Sequence, residues 1–150
     1  MLFKLQSKFM QKGKVLALDY GKKRIGCASG DMSLKIAVPH GIIENKNLNF
    51  VISKILDFCN EWKVKMIVVG LPVSMDGNDS HITKCVREFV DKLKESISWV
   101  EVKLFDERLT SFEADNLMKS AGKTTKDKKE YRDCYAACVI LQRFFDSIEK

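Results

Sequence analysis

Proline and histidine are scarce in this sequence, with two residues of each among 150. Two prolines and eight glycines leave no room for a long low-complexity linker. No apolar run approaches the roughly 18–20 residues of a transmembrane helix, which excludes a bundle of membrane spans. The hydrophobic share of 45% and the charged share of 31% are those of an ordinary globular protein and exclude a disordered tail. The length predicts a single domain.

The five cysteines form no Cys-x-x-Cys pair, and their number is odd. The N-terminal sequence has no apolar segment followed by a small-residue cleavage site, so we expect a cytoplasmic protein with reduced thiols. A zinc site would need clustered ligands, whereas these cysteines and the two histidines are scattered. We therefore expect the cysteines to pack in the core.

Acidic residues are absent from residues 1–14, and the net charge of +6 originates at this end of the chain. Residues 1–24 hold seven basic residues and one acid, Asp19, whereas the rest of the chain is balanced. A local excess of positive charge suits a polyanion such as nucleic acid, and a solubilising basic tail explains it equally well. We predict a basic N-terminal extension over 1–14 and one domain over 15–150.

The hydrophobic pattern divides the chain into strands first and alternating helices and strands later. Three short apolar segments separated by glycine-containing turns are typical of an antiparallel meander. Strands are predicted over 15–21, 25–32, 36–44, 66–74 and 100–107, and helices over 48–62, 80–97, 111–120 and 130–148, with an exposed basic loop over 123–132. This order predicts an α/β fold with a mixed five-stranded sheet, three antiparallel strands and then parallel ones, flanked by helices.

Several acids fall at the ends of predicted elements. Asp19 ends the first strand, Asp106 and Glu107 end the last strand, and Asp133 lies near the start of the last helix. Sites in open α/β sheets gather at the carboxyl ends of strands. Carboxylates that meet there repel each other unless a cation such as Mg²⁺ or Mn²⁺ neutralises them. Each acid taken alone is explained as well by a role in a turn or a helix cap. The spacing of the acids favours metal binding over these structural roles only modestly.

Four blocks of the sequence resemble, in order, the signature blocks of the YqgF/RuvX family. They are LALDYGKKRIG (16–26), VVGLPVSMDG (68–77), LFDERLTSFEA (104–114) and RDCYAACVIL (132–141). The resemblance covers about residues 15–146 and implies an RNase H-like fold, akin to the Holliday-junction resolvase RuvC. It also implies a metal-dependent nuclease, a hydrolase of phosphodiester bonds, that processes the 5′ end of pre-16S ribosomal RNA.

The resemblance implies that Asp19, Glu107 and Asp133 are the catalytic acids and hold the metal, two ions of Mg²⁺ or Mn²⁺. Paired ions of this kind activate a water and stabilise the leaving oxygen of a phosphodiester. Whether Asp106 also belongs to the site is left open, because successive strand side chains point to opposite faces. Asp106 and Glu107 reach one site together only if a bulge or the end of the strand breaks that alternation.

The resemblance further implies that basic residues beside two of these acids bind the substrate. Lys22, Lys23 and Arg24 follow the first acid, and Arg108 follows Glu107. A solvated turn and an ion pair are the plain alternatives for these side chains. The implied partners are structured RNA, in particular pre-rRNA, and ribosomal precursor particles, with no membrane and with a monomer or weak homodimer as the assembly.

Three other functions remain open from the sequence. A DNA nuclease resembling Holliday-junction resolvases is one, although RuvC-type resolvases carry a second acid three residues after the helix acid, where this chain has Ala136. A non-catalytic RNA-binding module of ribosome maturation is the second. An actin-like ATPase is the third, and it needs two large lobes that 150 residues do not provide. No P-loop motif or Ser-His pair supports other enzyme classes.

Overall fold

The computed structural model describes residues 13–72, 80–106 and 125–148, with the side chains of 125–133 outside that description. Five strands and three helices lie in these ranges. The strands are β1 (Lys14–Asp19), β2 (Arg24–Asp31), β3 (Ala37–Glu44), β4 (Val64–Leu71) and β5 (Glu101–Asp106), and the helices are α1 (Leu48–Trp62), α2 (His81–Ser96) and α3 (Thr125–Ser147).

The strands form one sheet in the order β3-β2-β1-β4-β5. β1 and β2 pair antiparallel, as do β2 and β3, whereas β4 pairs parallel with both β1 and β5. The predicted mixed sheet, with three antiparallel strands followed by parallel ones, is confirmed. The predicted helix over 111–120 lies outside the described residues. The N-terminal extension over 1–14, of which residues 1–12 lie outside them, stays a prediction.

Helices cover both faces of this sheet. Leu16 and Leu18 of β1 pack in the core cluster that contains the buried residues of α1 and α2. Val15 and Ala17 pack on the other face, in the cluster that contains the buried residues of α3. Because strand side chains alternate between faces, this pattern fixes which way every residue of β1 points.

The connection from β4 to α2 is tied at both ends. The side chain of Ser80 accepts a hydrogen bond from the backbone of Thr83, and Thr83 reciprocates in a capping box that starts α2. The Thr83 hydroxyl, which is fully buried, also donates to the carbonyl of Pro72, just after β4. This bond fixes the start of α2 against the carboxyl end of β4.

α3 begins at Thr125, so the prediction of an exposed loop over 123–132 is wrong from residue 125 onward. The segment contains neither proline nor glycine after Gly122, and its lysines and glutamate are good helix formers. The many charged residues of this segment are therefore compatible with a helix and did not by themselves indicate a loop. No helix in the described ranges is both long and apolar enough to cross a membrane.

Four of the five cysteines are buried, as expected: Cys27, Cys59, Cys134 and Cys138. Burial raises the pKa of Cys27 to about 12 and the pKa of Cys59 and of Cys138 to about 11. These thiols are therefore protonated at neutral pH and act as small apolar side chains.

β2 and α3 pack tightly against each other at Gly30. A Cβ atom there would lie 2.6 Å from the carbonyl oxygen of Ile36 and 2.7 Å from a ring carbon of Phe145. The Phe145 side chain is fully buried, so it has little room to retreat. The close contact requires glycine at this position.

Replacing Gly30 with alanine should destabilise the protein, because the new methyl group overlaps backbone and a buried ring. We expect a loss of about 1–3 kcal/mol in the free energy of unfolding. Urea denaturation followed by circular dichroism measures it. Ser29→Ala, at the preceding residue, is the control and should lie near the wild type. Equal midpoints for the two variants would contradict the proposed contact.

Candidate active site at the carboxyl ends of the parallel strands

Asp19 is the last residue of β1 and lies where the sheet offers the carboxyl ends of its parallel strands. Its side chain is half-buried. Because Val15 and Ala17 face α3, alternation along the strand places Asp19 on the same face. The carboxylate therefore lies at the carboxyl end of the middle strand, on the face of the sheet that α3 covers.

Both neighbours of Asp19 on this face are glycines. Gly26 of β2 is its partner in the antiparallel register. On the other side, Leu18 is paired with Val69, so the next position of β4, Gly70, lies beside Asp19. Both glycines are buried, and since glycine has no side chain, no Cβ atom stands beside the carboxylate on this face. No side chain from either neighbouring strand position therefore competes with a ligand for the carboxylate.

The end of β5 fixes the direction of Asp106, the first of the two acids there. Val102 and Leu104 pack on the face of α1 and α2, whereas Phe105 packs on the face of α3. The pairing of β4 with β5 is regular through Asp106, which puts that position on the α1 and α2 face, away from Asp19. Glu107, the next residue, lies outside the described ranges.

The backbone of α3 passes over β1 close to the candidate site. Ala137 packs in the same cluster as Val15 and Ala17, and position 133 lies one helical turn earlier. The side chain of Asp133 is outside the described part of the chain, as are Glu107 and Arg108. The assignment of three catalytic acids therefore stays a prediction.

The described residues provide one candidate metal ligand, Asp19, and no complete metal site. Within 13–72, 80–106 and 134–148, no group of three His, Cys, Asp or Glu side chains is placed to hold a metal ion. The donor that is described, Asp19, offers carboxylate oxygens, which suit Mg²⁺ and Mn²⁺. The buried cysteines, which would suit softer metals, lie in the core instead.

The turn from β1 to β2 carries three of the predicted substrate-binding residues. Lys22, Lys23 and Arg24 are all exposed. Gly21 precedes them, and a Cβ there would lie 2.5 Å from the carbonyl oxygen of Arg24. The turn therefore has a tight shape that only glycine permits at this point.

Asn45 holds this turn in place, a role that the sequence did not reveal. Its side-chain amide donates a 2.9 Å hydrogen bond to the carbonyl of Gly21. Its backbone N–H donates another, also 2.9 Å, to the carbonyl of Lys23. Asn45 lies outside the four sequence blocks, and only the pairing of β2 with β3 brings it to the turn.

Comparison with protein families places most of the chain in one of them. The family model described as "RuvX: Holliday junction resolvase" matches residues 13–147. This is the family that the four sequence blocks resemble, and the match covers every block.

Individual relatives match over nearly their whole length. A protein of Rickettsia typhi named "Putative pre-16S rRNA nuclease" is 39% identical over 136 residues, which are 91% of this chain and 86% of the relative. A protein of Nitrosospira multiformis with the same name is 37% identical over 134 residues, which are 89% of this chain and 88% of that protein.

Solved structures share the fold at low sequence identity. RuvC of Thermus thermophilus, in complex with a Holliday junction substrate, superposes with a TM-score of 0.58 at 10% identity, over 91% of this chain and 96% of RuvC. The large terminase nuclease of phage G20c gives 0.53 at 6% identity, over 89% and 82% of the two chains. The expected RNase H-like fold is confirmed.

Replacing Asn45 with alanine should loosen the turn from β1 to β2, because the hydrogen bond to Gly21 is lost. We expect the free energy of unfolding to fall by about 1 kcal/mol. Thermal unfolding measures the change. Asn60→Ala, the same substitution at an exposed position of α1, is the control. A loss as large at Asn60 would show that the Asn45 contact contributes nothing specific.

Proposed function

This chain belongs to the RuvX family, and from that premise we propose that it is a metal-dependent endonuclease that processes the 5′ end of pre-16S ribosomal RNA. The enzyme class, a hydrolase of phosphodiester bonds, agrees with the family and with the names of the relatives. One observation supports the site above all. Asp19 lies between Gly26 and Gly70 at the carboxyl end of the middle strand, beside an exposed basic turn.

The catalytic acids in this proposal are Asp19, Glu107 and Asp133, and together they hold a pair of Mg²⁺ or Mn²⁺ ions. Two features of the fold support the choice of Glu107 and Asp133. Position 107 follows Phe105 by two residues, so a regular continuation of β5 would turn it to the face of Asp19. Position 133 lies one turn before Ala137, on the helix that covers that face. When bound, such ions supply Lewis-acid chemistry to a phosphodiester.

The basic turn binds the substrate in this proposal. Lys22 and Lys23 attract the phosphates next to the scissile bond, and Arg24 and Arg108 offer planar guanidinium groups that can pair with two phosphate oxygens at once. Gly21 and Asn45 fix the path of the turn, so that Lys22, Lys23 and Arg24 start from defined positions. The bound strand would then lie next to Asp19.

RNA is the proposed substrate rather than a DNA junction. The family description favours a junction resolvase as the alternative. Against that alternative, the position three residues after Asp133 is Ala136, which is only 4% exposed and packs with Val139. It offers neither a carboxylate nor access to solvent. Cleavage of a 5′-extended 16S precursor, compared with cleavage of a four-way DNA junction, distinguishes the two substrates.

The cellular setting completes the proposal. The enzyme would act in the cytoplasm on ribosomal precursor particles, as a monomer or weak homodimer. A non-catalytic RNA-binding module remains the competing class. It would bind the precursor equally well in EDTA and would cleave nothing with any divalent metal.

Asp19→Asn should reduce metal-dependent cleavage of the precursor by more than about a hundredfold, because a neutral amide is a poor ligand for a divalent cation. Asp106→Asn should retain wild-type activity, because this position faces α1 and α2. Cleavage is followed on labelled precursor RNA with Mg²⁺ and with Mn²⁺.

Circular dichroism and thermal unfolding serve as the control that both variants fold. Glu107→Gln and Asp133→Asn should behave as Asp19→Asn does. If Asp106→Asn lost activity while Glu107→Gln retained it, the proposed set of ligands would be wrong. Wild-type cleavage by Asp19→Asn would overturn the proposed site altogether.

A further inference from the structure

We propose that the substrate-binding surface extends beyond the basic turn to the start of α1, where Lys46 and Lys54, both held on the ring of Phe50, bind the phosphate backbone of the nucleic acid. We call these three residues the α1 surface. The inference rests on the proposed function, since it assumes a nucleic-acid substrate, and it adds residues that lie outside all four sequence blocks.

The α1 surface is continuous with the basic turn. Glu44, at the end of β3, is the register partner of Arg24, at the start of β2. The backbone of Asn45 is hydrogen-bonded to Lys23, and Lys46 follows directly. The chain then enters α1 at Leu48, with Asn47 as its N-cap. Lys46 is therefore a neighbour of the turn, and the α1 surface starts where the turn ends.

A single aromatic ring organises the two ammonium groups of the α1 surface. The Lys46 Nζ lies 5.0 Å from the centroid of the Phe50 ring, and the Lys54 Nζ lies 5.6 Å from it. Both distances are within the range of cation–π attraction. Phe50 is itself half-buried and packs against the core cluster of α1 and α2. The ring is thus a fixed point that holds two charged groups near each other.

The contact with the ring favours anion binding by these two lysines over that of lysines that are free in solvent. Free lysine side chains lose rotamer entropy when they bind a phosphate, and a side chain that already rests on a ring has less to lose. Two ammonium groups held on one ring repel each other, and an anion between or beside them relieves that repulsion. A polyanion gains from both effects.

The acids near the α1 surface, Glu44 and, three residues after Lys54, Asp57, are both exposed, so they neutralise it only in part. Glu44 lies 3.8 Å from the Lys46 ammonium, but the two side chains are 73% and 60% exposed, and such a pair is weak and screened by salt. The first turn of α1 contains no acid. Together with Lys22, Lys23 and Arg24, the two lysines form a band with five positive charges.

The chemistry of this band identifies its ligand as a phosphate backbone. Ammonium groups bind phosphates without reading base sequence, so the α1 surface should position the strand rather than select it. α1 packs on the face of the sheet opposite Asp19, so a strand bound at Asp19 would cross the basic turn at the end of the sheet before it meets the α1 surface. We therefore expect affinity, and its dependence on salt, to be the properties that change.

The test is the double variant Lys46→Gln and Lys54→Gln, with Lys92→Gln and Lys94→Gln as its matched control. The control removes the same charge from exposed positions near the far end of α2. Binding of a fluorescein-labelled RNA hairpin with a single-stranded 5′ extension is measured by anisotropy in EDTA, which prevents metal-dependent cleavage.

We expect the test variant to bind about tenfold more weakly at low salt, with the slope of log Kd against log salt reduced by about 1.5. The control should bind within about twofold of the wild type. Equal losses in both variants would mean that only net charge matters, and would overturn the inference.

Phe50 provides a second and independent variant. Phe50→Leu keeps an apolar side chain against the core but removes the π face, whereas Phe50→Tyr keeps the face. We expect Phe50→Leu to weaken RNA binding by about threefold, and Phe50→Tyr to bind RNA as the wild type does. Wild-type affinity of Phe50→Leu would show that the ring does not organise the lysines.

The outcome separates this inference from the proposed nuclease function. If the wild type cleaves precursor RNA and the lysine variant binds as the control does, the α1 surface is wrong and the nuclease stands. If RNA binding depends on the α1 surface but no metal supports cleavage, the surface stands and the nuclease proposal fails.

Discussion

The register of β1 in the middle of the sheet is the constraint on which the rest of the structure depends. Residues 15–18 are buried on both faces, between α1 and α2 on one side and α3 on the other. A slip of one residue would exchange the two faces and bury Asp19 in the wrong layer. Because burial fixes this strand so tightly, the carboxylate at its end has a defined direction, which a loop residue would not have.

Small residues line the face of β1 and β2 that α3 covers, from Gly30 at one end to Gly26 beside Asp19 at the other. Across β1 and β2 on this face, Val15 is opposite Gly30, Ala17 is opposite Ala28 and Asp19 is opposite Gly26. Near Gly30 the missing side chain is filled by the ring of Phe145. At Gly26, which is buried, the same lack of a side chain keeps the position beside the Asp19 carboxylate clear of other groups on β2. One pattern of small side chains thus brings α3 close to the sheet and leaves Asp19 without a neighbouring side chain on this strand.

Binding and chemistry are carried by different parts of the fold in the function that we propose. Asp19 belongs to a strand whose position is set by the core, and the positive charge belongs to the turn from β1 to β2 and to the start of α1. Asn45 connects the two regions, since it is bonded to the turn and lies three residues before α1. The substrate would therefore be held by a surface that is anchored to the same strands as the catalytic carboxylate.

The amino-acid pattern determined the elements and their order. Period-two and near-continuous apolar runs marked all five strands, and helical periodicity marked α1 and α2, because burial selects apolar residues at the spacing of each element. The four blocks also identified the family before any coordinates. The sequence placed the start of α3 too late, because a lysine-rich segment has the same polar pattern in an exposed loop as in an exposed helix.

Only the tertiary structure decided what surrounds Asp19. Pairing between strands put Gly26 and Gly70 beside it, turned Asp106 to the opposite face, and brought Asn45 to the basic turn. These relations join residues that are distant in the chain, and strand register, which sets them, is a property of the packed sheet. Local sequence carries the chemistry of each side chain, whereas the register determines which side chains meet.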